Sequence, residues 1–288
     1  MDINILNELK RTNGLIEADI INIEKNIDIE RFISPFFTAL FWDKYRDVNP
    51  TLFEMYSKNI FDFLISNYIV GEGWHFFPDK RNYPTDTDDT SVIARFLLNN
   101  NRLSIEKLKE IQQILINNKA GENNFYVWIK KNEYRKSNIV DPIVNINILD
   151  FLVLSQKINE NKLSLVENVD FYLSSKYYIS NSVSLWFLFN SVYVSCNKEQ
   201  RSEVIKKLYN NNLLNFDYLS LNFIVQDAVQ LLPQTITIYK YPMINWFKHS
   251  SSEIGYKCLV LEEFEKEKLL TQLKRLDKQS TVPNIVYK

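Results

Sequence analysis

Asp86, Asp88 and Asp89 fall within four residues, in Pro84-Thr85-Asp86-Thr87-Asp88-Asp89-Thr90-Ser91. An apolar run, Val92-Ile93-Ala94-Arg95-Phe96-Leu97-Leu98, follows at once. Pro84 and the Asp/Thr cluster are helix-start signals, and the run behind them reads as a buried helix. Asp86 can cap that helix, with Asp89 completing a capping-box-like pair. Acids there also suit the positive end of the helix dipole, at roughly 0.3–1 kcal/mol each. This plainer reading leaves Asp88 over, because capping needs two acids and a third adds repulsion. Crowded carboxylates raise one another's pKa, so one of them can hold a proton near neutrality. The chemistry to expect of such a group is protonation of a weak base. Asp88 is the expected acid, with Asp86 and Asp89 tuning it.

Asp86-Thr87-Asp88-Asp89-Thr90 resembles the DxDD(T) acid motif of class II terpene cyclases, the squalene–hopene and diterpene cyclase group. The lead-in Gly71-Glu72-Gly73-Trp74-His75-Phe76-Phe77 is similar to the Gly/Trp turns of that superfamily. The resemblance implies an inner helix of an α/α barrel and a middle Asp that protonates an alkene or epoxide. It also implies a holder for the conjugate base. Asn145, in Val144-Asn145-Ile146-Asn147, stands where diterpene cyclases carry such an Asn; its other reading is a core amide serving backbone groups. His75 is a second candidate, placed upstream instead of downstream. The glutamine–tryptophan repeats of squalene-type cyclases are absent, and no DDxxD pair is present to bind a diphosphate. No cofactor or metal is implied for the proton step; Mg²⁺ would accompany only a diphosphate-bearing substrate. The family's paired-domain forms hold the site between two units, whereas this chain has length for one. A homodimer or a second cyclase-like subunit is the partner this implies, with peripheral membrane contact a further route for an isoprenoid.

The elements that must position these residues follow from hydrophobic rhythm. Buried helices are expected to start near residues 34, 86, 141, 181, 218 and 255, each followed by an amphipathic piece. The interval is roughly 35–55 residues, as in helical-pair repeats. The outer pieces are 51–69, 104–117, 163–173 and 198–209, with a less regular stretch to about 248. Residues 1–30, with Ile and Leu among polar residues, read as peripheral helices around Gly14, and 277–288 as a tail. The expected fold is therefore all-α: one domain, with an α/α barrel of about six inner and six outer helices over 34–275, and an open solenoid as the structural alternative. Three helix starts share a pattern, Ser34…Thr38, Asp86…Thr90 and Asp141…Asn145, which places a polar residue four after each cap. The aromatic connections before these helices should gather Trp74, Phe76, Tyr126, Trp128, Tyr177, Tyr178 and Trp246 around the acids, with His75 beside them. Ring faces suit a cation that must meet no nucleophile.

Composition excludes other classes. The chain has 288 residues and a formal net charge of −1, so it lacks the basic excess of a nucleic-acid binder. Its 2 Cys and 2 His exclude a structural zinc cluster, and Cys196 and Cys258 suit a reducing, cytoplasmic setting. The N-terminus has no signal-peptide pattern, and no apolar run reaches the ~18 residues of a membrane span. Two further readings stay open. One is a non-catalytic barrel that binds an isoprenoid or a protein partner. The other is a carbohydrate-active barrel with Asp86 and Asp89 as acid and base.

Overall fold

The computed structural model describes residues 3–25, 27–79, 84–122, 124–129, 138–158, 163–178, 180–238, 246–248, 253–276 and 283–287. Helix α1 (Ile3–Arg11) buries Ile5 and Leu9, and the chain then reverses at Gly14. Gly14 has φ of +84°, and a Cβ there would lie 2.4 Å from Tyr56 Cβ, so the turn requires glycine. Strands β1 (Glu17–Asn22) and β2 (Ile27–Ile33) follow as an antiparallel hairpin. Then come α2 (Pro35–Tyr45), α3 (Pro50–Ser66), α4 (Thr87–Asn99), α5 (Ile105–Asn117) and α6 (Pro142–Leu154). The two-residue strand β3 (Leu163–Ser164) leads into α7 (Leu165–Tyr172) and α8 (Asn181–Phe189). After β4 (Val194–Ser195) come α9 (Lys198–Asn210), α10 (Tyr218–Asp227) and a short 3₁₀ turn, Val229–Leu231. Strands β5 (Thr235–Ile238), β6 (Phe247–Lys248) and β7 (Ile254–Lys257) precede α11 (Leu259–Leu276), and β8 (Asn284–Tyr287) completes the described elements.

The molecule is thus mixed α/β, which overturns the all-α barrel expected from the sequence. A four-stranded sheet runs in the order β2-β1-β7-β6, and β5 pairs with β8 in parallel. Residues 17–22 and 27–33 are strands, not peripheral helices, and 284–287 are a strand, not tail. Residues 254–257 are likewise strand, so the last long helix starts at Leu259 and not at 255. The physical reason is local. Ile27-Asp28-Ile29-Glu30 alternates with period two, the signature of a strand. Strand β1 is buried at four consecutive residues, Ala18 to Ile21, and so on both faces, which leaves no alternation to read.

The helices order themselves by burial. Helix α6 is buried from Pro142 to Val153, and α2 from Pro35 to Trp42, as befits helices apolar on nearly every side. Helix α3 buries only Ser57, Ile60, Phe61 and Leu64, one face of a surface helix. Helix α2 packs on α4, α4 on α6, α6 on α8, α8 on α10 and α10 on α11, and α11 returns to α2. Helices α3, α5 and α7 lie against α2, α4 and α6, and α9 against α7 and α10. One main apolar cluster runs through these helices. Each buried Leu or Phe in it contributes about 1.5–3 kcal/mol by transfer from water.

A repeated device sets where α2, α4 and α6 begin. The N-caps Ser34, Asp86 and Asp141 accept from backbone amides of the first turn. Four residues on, Thr38, Thr90 and Asn145 each donate back to the cap carbonyl, at 2.7, 2.7 and 2.8 Å. The same three side chains accept the backbone N–H of Ile16, Trp74 and Phe125. Each helix start is therefore stapled to an earlier, incoming segment of chain. Among the described residues no helix is long and apolar enough to cross a membrane, and Cys196 and Cys258 are free thiols.

Candidate active site

The acid turn is pinned before its chemistry is considered. Thr87 N and Oγ1 both donate to the Val127 carbonyl at 2.9 Å, and Ile129 N donates to the Thr85 carbonyl at 3.0 Å. Gly73, at φ +96°, lies so close to this turn that a Cβ would meet Thr90 Oγ1 at 2.2 Å. Asp86 caps α4, its Oδ1 accepting from Asp89 N at 2.6 Å. Thus the capping role is filled by Asp86 alone, and Asp88 and Asp89 are spare.

Asp88 is held from two other elements. Asn147 on α6 donates from Nδ2 to Asp88 Oδ1 at 2.7 Å, and the Tyr178 hydroxyl donates to Asp88 Oδ2. All three acids line one recess with a cavity volume of about 60 Å³. Its other walls are apolar, chiefly rings: Phe36, Phe76, Phe77, Trp128, Tyr177 and Tyr256 among them. Phe76 stands edge-on to Tyr256 at 4.9 Å between centroids, and Trp128 edge-on to Tyr177 at 6.1 Å.

Burial raises all three carboxyls above their ordinary range. For Asp86 the charge of Asp88 adds to burial, against the amide hydrogen bonds of the cap. For Asp88 the donors Tyr178 and Asn147 oppose burial by holding the ionised form. Asp89 is raised well above its ordinary value by burial and by the charges of Asp86 and Asp88, and it shares a hydrogen bond with Asp86. Its Oδ2 is buried without a hydrogen-bond partner. Burial and the Asp88 charge also hold the Tyr178 phenol firmly protonated, so it remains a donor. The cluster therefore carries protons at neutral pH, and its central carboxylate has two fixed donors waiting for it.

The sequence and the structure agree on part of this constellation. Asp86, Asp88, Asp89, Phe76, Trp128, Tyr177 and Tyr178 all line the recess. Asn145 does not belong to it. Its amide is spent on the Phe125 backbone and the Asp141 carbonyl, which is the core reading of that residue. Asn147, two residues on, occupies the place expected for Asn145. Trp74 is buried under Leu64, to whose carbonyl its Nε1 donates at 2.7 Å, and it packs on Tyr68. Trp246 is fully buried between Phe37 and Trp186. Tyr126 contributes its carbonyl to Thr87 and Asn118, and neither it nor His75 is among the lining residues.

Sequence reasoning missed Asn147, Phe36, Phe77 and Tyr256. The signal for Phe36 was its position two after the Ser34 cap, equivalent to Asp88 two after Asp86. Tyr256 arrives on β7, which no local pattern announced. Among the described residues, no three His, Cys, Asp or Glu side chains are grouped as metal ligands would be. No family model, curated protein or solved structure matches this chain.

Proposed function

We propose that the chain is a general-acid catalyst that protonates an isoprenoid alkene and cyclises it without redox change, in the manner of a class II terpene cyclase. One observation carries the reading. A buried carboxylic acid lies in an apolar, largely ring-lined recess, with two fixed donors, Asn147 and Tyr178, on its conjugate base. A carboxylate has about four lone-pair sites, so the two donors leave room for a proton on Asp88. Burial raises Asp88 to about 6, so a minor fraction of it carries that proton near pH 7 and a larger one at mildly acid pH. The donors stabilise the carboxylate left behind, which makes Asp88 a stronger acid at the moment of transfer.

In the proposed step the Asp88 proton adds to one alkene carbon and leaves a tertiary cation at the other. A second double bond of the same substrate supplies the electron pair that closes the ring. Loss of a proton from the cyclised cation to water at the mouth ends the sequence and Asp88 takes a proton back from solvent, so substrate and product are isomers. Phe36, Phe76 and Trp128 present rings that carry no nucleophilic oxygen. At about 60 Å³ the recess has the volume of about two waters, so its ring walls would have to part to admit the branched end of an isoprenoid, with the remainder of the chain lying outward. A second copy or subunit over the mouth would exclude water there. Mg²⁺ enters this reading only as the companion of a diphosphate head group. The carbohydrate reading loses support, since its two carboxylates stand on one helical turn among rings.

The test is incubation with farnesyl and geranylgeranyl substrates, as diphosphates and as alcohols, with mass spectrometry for isomeric cyclic products. Asp88→Asn removes the proton, and its loss should exceed the roughly 10²–10⁴-fold of a typical general acid because water has little access. Tyr178→Phe and Asn147→Leu should each cost about 10-fold or more in kcat, being the holders of the conjugate base. Full activity in Asp88→Asn would sink the acid assignment. Tight binding by wild type with no isomer formed would replace the catalyst by an isoprenoid-binding module.

A further inference from the structure

A second, larger cavity lies at the other end of the helices. Helix α2 gives Phe36 to the acid recess and Lys44 and Tyr45 to this cavity, about 12 Å further along its axis at 1.5 Å per residue. The cavity volume is about 630 Å³, within the roughly 300–1,000 Å³ usual for small-molecule sites. Its apolar walls are the rings of Tyr45, Trp186 and Phe264, the first and last meeting edge to face at 5.2 Å. Its charged walls are Lys44, Lys268 and Arg275 against Glu265 and Glu267.

The charges do not cancel where they matter. Glu265 is already committed: it accepts from Trp186 Nε1 at 2.8 Å and Asn222 Nδ2 at 2.9 Å, and Lys268 lies 3.6 Å away. Lys44 has only a share of Asp43, whose Oδ2 lies 3.4 Å from Lys44 Nζ and also 3.4 Å from Arg95 Nη2. Asp150, a further carboxylate near Lys44, is taken by Arg95, Ser191 and Tyr193. Lys44 lies over the Trp186 ring, 5.8 Å from its centroid. Burial lowers its pKa despite Asp43, as expected of an ammonium short of counter-charge. Gln272, on the same wall, buries its Oε1 without a partner.

We propose that this cavity is a second ligand site, distinct from the acid recess, for an organic anion with a flat apolar body. The body would lie against Trp186, Tyr45 and Phe264. The anionic group would complete the shell of Lys44, with Arg275 at the rim and the Gln272 amide as a further polar contact. The proposal is independent of the catalytic reading.

Isothermal titration of the full chain with naphthoate, and with naphthalenemethanol as its neutral analogue, tests it. Naphthoate should bind, and the alcohol should bind about 10–100-fold more weakly, the worth of a charge-assisted hydrogen bond. Lys44→Met keeps the stem, removes the charge and should weaken naphthoate by a similar factor, whereas Lys44→Arg should retain binding. Arg275→Gln, at an exposed position, should weaken it in a protein whose folding is not in question. Phe76→Ala, in the acid recess, should leave naphthoate binding unchanged. Equal binding of acid and alcohol, absence of binding, or loss of binding in Phe76→Ala alone would overturn the assignment. So would undiminished binding in both Lys44→Met and Arg275→Gln.

Discussion

Asp89 is the residue whose burial is least compensated. Asp86 spends its carboxylate on a helix cap and Asp88 on two donors, while Asp89 has one oxygen without a partner. Its ordinary pKa near 3.8 is raised well upward in the folded chain, by burial first and then by its two neighbours. Between the ordinary value and the raised one, the folded state binds more protons than the unfolded state. Stability contributed by this group is therefore greatest at acid pH and falls as pH rises through that window. Asp89→Asn mimics the protonated acid at every pH, since an amide can donate to Asp86 as the carboxyl does. The variant should melt higher than wild type at about pH 7.5, and the gap should close as pH falls towards 4. Each kcal/mol recovered corresponds to about 2–4 °C in a chain of this size. Calorimetric melts across that range check it, and a variant less stable than wild type at neutral pH would contradict the neutral-acid assignment. A buried acid left unsatisfied in this way is a cost that a site tolerates and a purely structural cap does not require.

At the level of elements, helix starts were legible and side-chain direction was not. Pro84 with Asp86 announced α4, and Asp141-Pro142 announced α6, because capping and proline chemistry act over three or four residues. Asn145 and Asn147 are two apart on α6, about 200° around the helix, so they face different neighbours. Both are buried, and nothing in the local sequence says which one looks toward α4. The backbone segments that claim Asn145 come from Phe125, 20 residues away. Tyr178 reaches Asp88 by a similar route. Asp141 accepts from Ile143 N and Val144 N on α6, and also from Ser175 Oγ, Lys176 N and Tyr177 N. One carboxylate thus caps a helix and fixes the loop that delivers Tyr178. Asp141→Ala should cost the cap, about 0.5–2 kcal/mol, and further leave buried loop amides unpaired at about 1–3 kcal/mol. Urea unfolding should show a loss of about 2–4 kcal/mol. Activity in the folded fraction should fall as it does in Tyr178→Phe, because the hydroxyl loses its position. A loss confined to the cap's share, with activity intact, would show that the loop holds itself.

On the scale of the whole molecule, the parts that escaped the sequence are those made by distant pairing. Strand β1 finds β7 across more than 200 residues, Asp19 opposite Lys257 and Asn22 opposite Ile254, and local periodicity carries no trace of that. The closed order of helices has a comparable long-range tie in Arg95. From α4 it reaches Asp150 on α6 at 3.0 Å and Asp43 on α2 at 3.4 Å, while Asp150 also accepts from Ser191 and Tyr193 beyond α8. All three charged side chains are nearly inaccessible. Burial pushes Asp43 upward, but Arg95, Lys44 and Arg46 bring it below its ordinary range; Asp150 stays raised by burial despite Arg95. Arg95→Met fills the space and removes the cation, leaving two buried carboxylates short of charge. The expected cost near neutral pH is about 3–5 kcal/mol, the usual price of breaking a buried pair. Without Arg95 both carboxyls rise in the folded state, so the variant should regain stability as pH falls towards their ordinary value. A second substitution makes the test decisive. In wild type, Asp150→Asn weakens the hold on Arg95 and should destabilise. In the Arg95→Met background the same change removes an unpaired charge and should stabilise. That inversion of sign, read from urea unfolding of the four proteins, measures the coupling of α4 to α6 directly. If Asp150→Asn costs the same in both backgrounds, the network is not what holds these helices in register.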